Sequence, residues 1–582
     1  MRRVAFALAT ALCLAAIPAI SVSAYANKRK AAEAREFLKQ IPDNQKILQA
    51  LNRLTFGPRP GDAQAVKAMG LKKWIDQQLH PASISENATL LEKLKTMDTL
   101  TMSASEIVRN YPQPQMIRRM VNGQMPFPAD PDRKLMLTRA MERYEKQQAA
   151  GVNPDAQPGA ANNAKLAELL SPDQMRSMRQ GTPQQRLEAF LALPRDKQDE
   201  VLSAMPQGMR QNLFTVAPPE LRRRVEIANG PQQVVVRDLL EAKLLHAVYG
   251  NRQLEEVLTD FWFNHFNVFL EKGADRYMVT EYERDAIRPH VLGKFKDLLT
   301  ATAKSPAMLF YLDNWQSVGP NAPQLRGRPG ASGLNENYGR ELLELHTLGV
   351  DGGYSQKDVT EAARCFTGWT IIQPQMGGSF SFNRRAHDDG EKTVLGVKIP
   401  AGGGIEDGEK VLALVAHHPS TAHFISKKLA MRFVADDPPE ALVQRMADTF
   451  LKTDGDLRAV MQTMLASKQF FSMAAYRSKM KSPLEMVASA ARATNAEIDY
   501  AFPLANQVAQ LGEPLYRKVE PTGYSNSSQE WINSAGLMAR MNFAIQLGDN
   551  KVPGVKVDTG KLAKPDDPIA GIALGSPEFQ KR

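Results

Sequence analysis

Apolar and polar positions along this chain recur mostly with the period of a helix. Between residues 43 and 110, short stretches place apolar residues three and four apart, and LNRLTFGPRPGD at Leu51 interrupts them with glycines and prolines before the next helix. From 231 to 550 the chain is denser in apolar and aromatic residues, carries four of the five tryptophans, and again reads as helices. One stretch departs from this: at 379–399, SFSF and VLGVKI flank the polar run RRAHDDGEK, which predicts a β-hairpin or a long excursion. The expected fold class is therefore mostly α: a large multi-helical, bundle-like body with a small β-hairpin excursion and a helical-repeat insertion.

The insertion is the stretch 112–230, where composition shifts to Pro, Gln, Met and Arg around an Ala/Gly/Asn/Pro linker at 149–163. Pro172, Pro183, Pro194, Pro206 and Pro218 recur every eleven or twelve residues, most followed seven or eight positions on by apolar residues such as Phe190, Val201, Leu213 and Val225. Proline at the first helical position gives up no hydrogen bond, and Ser171 and Thr182 stand where N-caps belong, so each unit reads as a two- to three-turn helix. One such unit cannot bury its apolar side alone; the units must stack on each other, on the body or on a partner. A partly disordered insertion is the alternative.

The first residues, MRRVAFALATALCLAAIPAISVSAYA, run from Arg2 and Arg3 through an apolar stretch to Ala24-Tyr25-Ala26, the order of a signal peptide. The expected organisation is a signal peptide at 1–26, an N-terminal helical segment of the main domain at 27–111, the insertion at 112–230, the main helical domain at 231–550 and an extended C-terminal tail at 551–582. The mature protein would be periplasmic or secreted. No later segment offers ~18 consecutive apolar residues, so no integral membrane span is expected. With Cys13 removed, Cys365 is the one cysteine left and no intramolecular disulfide can form. Formal charge is +10, falling by two to +8 without Arg2 and Arg3. No compact basic motif of the kind that reads bases accompanies it, so nucleic acid is not an expected partner. The sequence also lacks a covalent-haem motif, a phosphate loop and a nucleophile elbow.

Candidate chemistry gathers in three places. In NENYGRELLELHTLG at Asn335, a helix turning ~100° per residue puts Asn337, Glu341 and Glu344 on one stripe, as a hard metal or an acid/base pair would require. Arg340 one turn before Glu344 offers an ion pair as the simpler reading. His346 falls nearly opposite that stripe, where it reads as a cation at the helix C-terminus. In FWFNHFNVF, His265 shares a face with Leu254, Leu258 and Phe261, either as a core histidine or as a functional one. In RRAHDDGEK, His387 beside Asp388 and Asp389 reads as a ligand or proton carrier on a loop, or as an ordinary turn. His417, His418 and His423 straddle a helix boundary and read as structural. Cys365, in ARCFTGW, reads as a buried, inert thiol.

The chain resembles the domain of unknown function 1800 family of exported bacterial proteins. The resemblance rests on LNRLTFGPRPGD at Leu51, WFNHFNV at Trp262, ERDAIRPHVLGKF at Glu283, NENYGRELLELHTLGVDGG at Asn335, AHDDGEKTVLG at Ala386, HHPSTAHFISKKLAMRFVADDPP at His417, KSPLEMV at Lys481 and PTGY at Pro521. It implies a large, exported, helical protein and supplies no activity to carry onto residues. Members are often encoded beside exported proteins resembling sulfatases and phosphatases, which implies a sulfatase-like partner. The proline-repeat insertion and Cys365 depart from the family pattern. Two functions follow. One is an exported, metal-assisted enzyme, hydrolase or oxidoreductase, with Glu341, Glu344, His265 and His387 as divalent-metal ligands or acid/base groups, Asp388 supporting His387, and Asn314 and Asn337 orienting substrate. The other is a non-catalytic binding or assembly protein acting with the sulfatase-like partner.

Overall fold

Helices that are apolar on every side must be buried, and two of them make the centre of this protein. In Pro231–Tyr249 buried positions occur on all faces, and in Pro483–Ala493, with the sequence PLEMVASAARA, every residue is buried. A capping box of Ser482 and Glu485 starts the second of these. Its small side chains let the chain at Gly57 lie directly against it. Gly57 has a φ of 105°, and a Cβ there would come within 2.7 Å of Ser489 Cβ. A computed structural model describes residues 35–149, 166–214, 217–323, 333–557 and 574–582. The expected signal peptide at 1–26 and nearly all of the linker at 149–163 lie outside the described residues. One apolar cluster reaches from Phe37 through the two central helices to Phe579. Among the described residues no helix is long and apolar enough to cross a membrane.

The proline period becomes five short helices, Pro172–Gln180, Pro183–Leu191, Arg195–Ala204, Gln207–Phe214 and Pro219–Asn229. Pro172 and Pro183 are first helical residues behind capping boxes at Ser171 and Thr182, while Pro194 and Pro218 sit one step earlier, at the N-cap. Phe190, Val201, Leu213 and Val225 point into a small core of their own, which is why the units stack rather than lie singly on the surface. The array docks on the body through Phe214, edge-on to Tyr500 at 4.9 Å, and through Arg222, which donates to the Asp499 carbonyl at 3.0 Å.

The β structure among the described residues is three antiparallel two-stranded sheets: β1 (Trp369–Ile372) with β2 (Ser379–Phe382), β3 (Lys392–Val394) with β4 (Val397–Ile399), and β5 (Glu497–Ile498) with β6 (Val555–Lys556). The excursion is thus two hairpins rather than one. SFSF pairs back onto WTII, and VLGVKI closes on itself. Leu395 and Gly396 have φ of 50° and 77°, the pair of positive angles that a two-residue hairpin turn requires. RRAHDDGEK links the hairpins. The extended tail expected at 551–582 is folded where it is described. Val555–Lys556 forms β6, Pro577–Gln580 is a helical turn, and Phe579 lies buried with the Lys481 ammonium 3.6 Å from its ring centre.

Candidate functional site

The Asn337–Glu341 helix does not continue as an ordinary α-helix. It widens into a π-helical turn, Leu342–Thr347, in which the Leu348 amide donates to the Leu343 carbonyl at 3.0 Å and Thr347 Oγ1 donates to the Leu342 carbonyl at 2.6 Å. The helix is pinned from behind. Gly339 packs so closely on the Gln356–Cys365 helix that a Cβ would come within 2.9 Å of the Val359 carbonyl and the Ala363 amide. Such single π turns recur at functional sites because they change which side chains share a face.

Here the turn separates two environments. Glu341 and Glu344 remain half-buried at the surface, and His346 is carried into the core. Burial, and then the charge of Glu344, push the Glu341 carboxyl up to about 7 against the pull of Arg340. Arg340 makes its ion pair one turn back, with Glu336 at 3.3 Å, rather than with Glu344. The Tyr354 hydroxyl faces Glu344 and is raised by burial and by that carboxylate. Tyr311, whose hydroxyl donates to the Val519 carbonyl at 2.7 Å, is raised chiefly by burial, with Glu341 adding to it. The result is a carboxyl held protonated up to near neutrality next to a second carboxyl, bordered by two tyrosines.

Behind the turn lie two neutral imidazoles and a lysine ammonium. Half-buried Lys428, on the Pro419–Phe433 helix, has its ammonium 2.9 Å from His265 Nδ1, and His265 Nε2 is 3.0 Å from the His346 carbonyl. With Lys428 donating, Nδ1 is the acceptor and the Nε2 proton goes to the carbonyl, a neutral imidazole held in one tautomer. Burial, then Lys428 and His346, hold His265 well below the usual histidine range. Burial and Lys428 hold His346 down to about 3, and its Nε2 has no hydrogen-bond partner among the described residues. His346 is therefore not the cationic helix cap that its sequence position suggests. Lys428 itself is lowered to about 8 by burial.

His387 and Asp388 belong to a different network. His387 is buried, with Nδ1 2.8 Å from the Thr367 carbonyl and Nε2 3.3 Å from Asp407 Oδ2. Asp407 also takes the fully buried Lys392 ammonium at 2.9 Å. Burial raises the Asp407 carboxyl, but hydrogen bonds from His387 and Lys392 more than reverse this and leave it lowered. The acid that steadies His387 is thus Asp407 and not Asp388. Asp388 pairs with Arg364 at 2.9 Å and accepts from the Gly390 amide at 3.0 Å. Together they brace the link between the two hairpins. Asn314 is buried and donates to the Phe366 and Trp369 carbonyls, both at 3.1 Å, clamping the entry to β1, whereas Asn337 is exposed at the start of its helix.

The structure therefore places Glu341 and Glu344 at the surface of the turn and His265 behind it, against the His346 carbonyl, and leaves His387, Asp388 and Asn314 elsewhere. Among the described residues no three His, Cys, Asp or Glu side chains group as a metal site would need. Cys365 is buried, and burial pushes its thiol up to about 12. His417 and His423 pair with Asp454 and Glu440, and His418 caps the Pro419–Phe433 helix. Lys428, Tyr311, Tyr354 and Asp407 escaped the sequence reading. Each meets its partner across ten or more residues, and no local spacing signals that.

Fold and site define a large, mostly helical protein with a helical-repeat array and a carboxylate pair on a π turn backed by a histidine–lysine cluster. The chain belongs to the family described as "Protein of unknown function (DUF1800)", matched over residues 49–573. No curated protein and no solved structure matches it.

Proposed function

We propose that this protein is an exported enzyme of proton transfer, a hydrolase in the broad sense, with Glu341 as the group that gives and takes the proton. The supporting observation is the juxtaposition on the π turn: a half-buried carboxyl, protonated up to about pH 7, beside the charge of Glu344. A carboxyl raised toward neutrality beside a second carboxyl can run acid and base chemistry in one site. Glu341 serves as acid and Glu344 as base, while the His265–Lys428 pair fixes the turn from behind. Export rests on the charged, apolar and A-x-A order of residues 1–26.

The metal-assisted version fits the residues less well. Both nitrogens of His265 and both of His387 are occupied by protein partners, and a lysine ammonium beside His265 opposes a cation. A panel of chromogenic esters, glycosides, sulfate esters and phosphate esters, assayed from acid to alkaline pH, tests the proposal. Turnover of one class is expected, falling as pH rises through about 7, where Glu341 gives up its proton, with a loss of ~10²–10⁴-fold in Glu341→Gln. Turnover unaffected by that substitution removes Glu341 as the proton-transfer group, and no turnover with any class removes the enzyme reading. A binding protein that works with a sulfatase-like exported partner is then favoured by one surface. The Ser534–Gly548 helix shows Leu537, Met538, Met541 and Ile545 to solvent on one side.

A further inference from the structure

A second polar centre lies next to this site on the same two helices. Asn264 precedes His265, and Arg432 follows Lys428 by one turn. Both line a cavity closed by Lys479, Glu485, Tyr524 and Arg582. Its core holds ≈ 30 Å³ for atoms the size of water, against the ~10–15 Å³ that one water needs.

Six cationic side chains crowd this place, each no more than 5% exposed: Arg53, Arg432, Lys479, Lys481, Arg540 and Arg582. Two carboxylates answer them. Glu485 pairs with Arg432 and with Arg582, the latter at 2.8 Å, and Asp436 pairs with Lys479. The other acids on the cavity wall are otherwise engaged. Asp260 pairs with Lys243 at 3.1 Å, and Glu513 accepts from the Leu484 amide at 2.8 Å, with burial and Asp260 raising it toward its neutral form. Basic side chains outnumber the committed side-chain carboxylates here, an unfavourable arrangement for buried groups. Donors are left over as well. Arg582 Nε, on the cavity wall, has no hydrogen-bond partner among the described residues, nor do Arg53 Nε and Nη1 or Arg540 Nη1 behind it. Lys479 and Lys481 are each lowered to about 7, chiefly by burial, with Arg582 opposing their charge further.

We propose that this cavity binds a small oxyanion, a phosphate or sulfate, free or as the charged group of a larger molecule, held by Arg432, Lys479 and Arg582. Guanidinium forks match the oxygen spacing of such ions, and an anion here supplies both the missing charge and the missing acceptors. The inference stands whether or not Glu341 moves a proton, since none of its residues belongs to the π turn.

Equilibrium dialysis of the mature chain against labelled phosphate, with chloride holding ionic strength constant, tests it. One saturable site is expected, competed by sulfate and not by chloride, together with a thermal midpoint that climbs with phosphate but not with matched chloride. Lys479→Met and Arg582→Met are each expected to weaken phosphate binding by about tenfold or more, the loss of one charge-assisted hydrogen bond. Should either variant fail to fold, the midpoint series on the unaltered protein still decides. No saturable binding of phosphate or sulfate and no midpoint shift overturns the proposal, as does binding that both variants retain in full. Glycerol phosphate separates the two sources: tighter binding than inorganic phosphate assigns the cavity to the anionic group of a larger molecule, weaker binding to the free ion.

Discussion

Glu341→Gln is expected to make the protein more stable above neutral pH and to leave it unchanged in mild acid. The Glu341 carboxyl goes from an ordinary value of 4.5 when unfolded to about 7 when folded, mainly through burial and secondly through Glu344. Between those values the folded state holds more proton than the unfolded one. The stability linked to this group is thus complete below about pH 4.5 and is lost as pH rises through 7. A fully buried group shifted this far would forfeit ~3 kcal/mol, but this carboxyl is half exposed, so screening reduces the figure to roughly 1–2 kcal/mol. Glutamine resembles the protonated acid and carries no charge at any pH. The difference in unfolding free energy between variant and parent is therefore expected near zero at pH 4.5 and roughly 1–2 kcal/mol in the variant's favour at pH 8, as other titrating groups cancel in the subtraction. Urea unfolding followed by tryptophan fluorescence and by circular dichroism, with equal slopes for both proteins, measures it. Glu344→Gln should recover a smaller share, because its charge is only the second cause. A gap that is flat across pH, or a variant less stable at pH 8, refutes the environment assigned to Glu341. A residue whose removal stabilises a protein under its working conditions is a mark of a functional site.

Four further outcomes are expected. Lys392→Met leaves Asp407 buried without the ammonium now 2.9 Å away, so unfolding free energy should fall by ~3–5 kcal/mol, and an unmoved urea midpoint would show that the pair contributes nothing. Gly57→Ala puts a Cβ 2.7 Å from Ser489 Cβ at a φ of 105°, which should cost ~1–3 kcal/mol in a denaturation series. Full stability would mean that the central helix gives way at no cost. In a chain beginning at Asn27, Ellman's reagent should label Cys365 only after denaturant is added, since its buried thiol is raised to about 12, and prompt labelling of the native protein contradicts that burial. Treatment with EDTA should leave any Glu341-dependent turnover intact, and its loss would restore the metal-assisted reading.

What was legible in the sequence was whatever repeats locally. The proline period at 172–218 specified helix starts because Ser171 and Thr182 place their caps within one turn, and the inward positions then follow from helical spacing. The hairpin excursion was legible as β structure, but its pairing was not. SFSF and VLGVKI each prefer extended backbone, and the choice of partner fell to WTII upstream and to the Leu395-Gly396 turn. The site was read in outline for the same reason. Glu341 and Glu344 share a surface in either helical geometry, so their juxtaposition survives the π turn. The fate of His346 does not, because a widened turn is set by how closely Gly339 approaches the next helix, a contact twenty or more residues away in the chain. His387 shows the same limit from the other side. A histidine beside two acids suggests that one of them serves it, yet the chain carries Asp388 to Arg364 and brings Asp407 to the ring instead. His387 lies just after a turn at 384–386, where neighbouring side chains diverge, so the nearest acid in sequence is poorly placed to be the nearest in space. The buried cations around Glu485 are the extreme case. They come from segments as far apart as Arg53 and Arg582, and only the fold reveals that they gather around Glu485, with Arg432, Lys479 and Arg582 on the cavity wall.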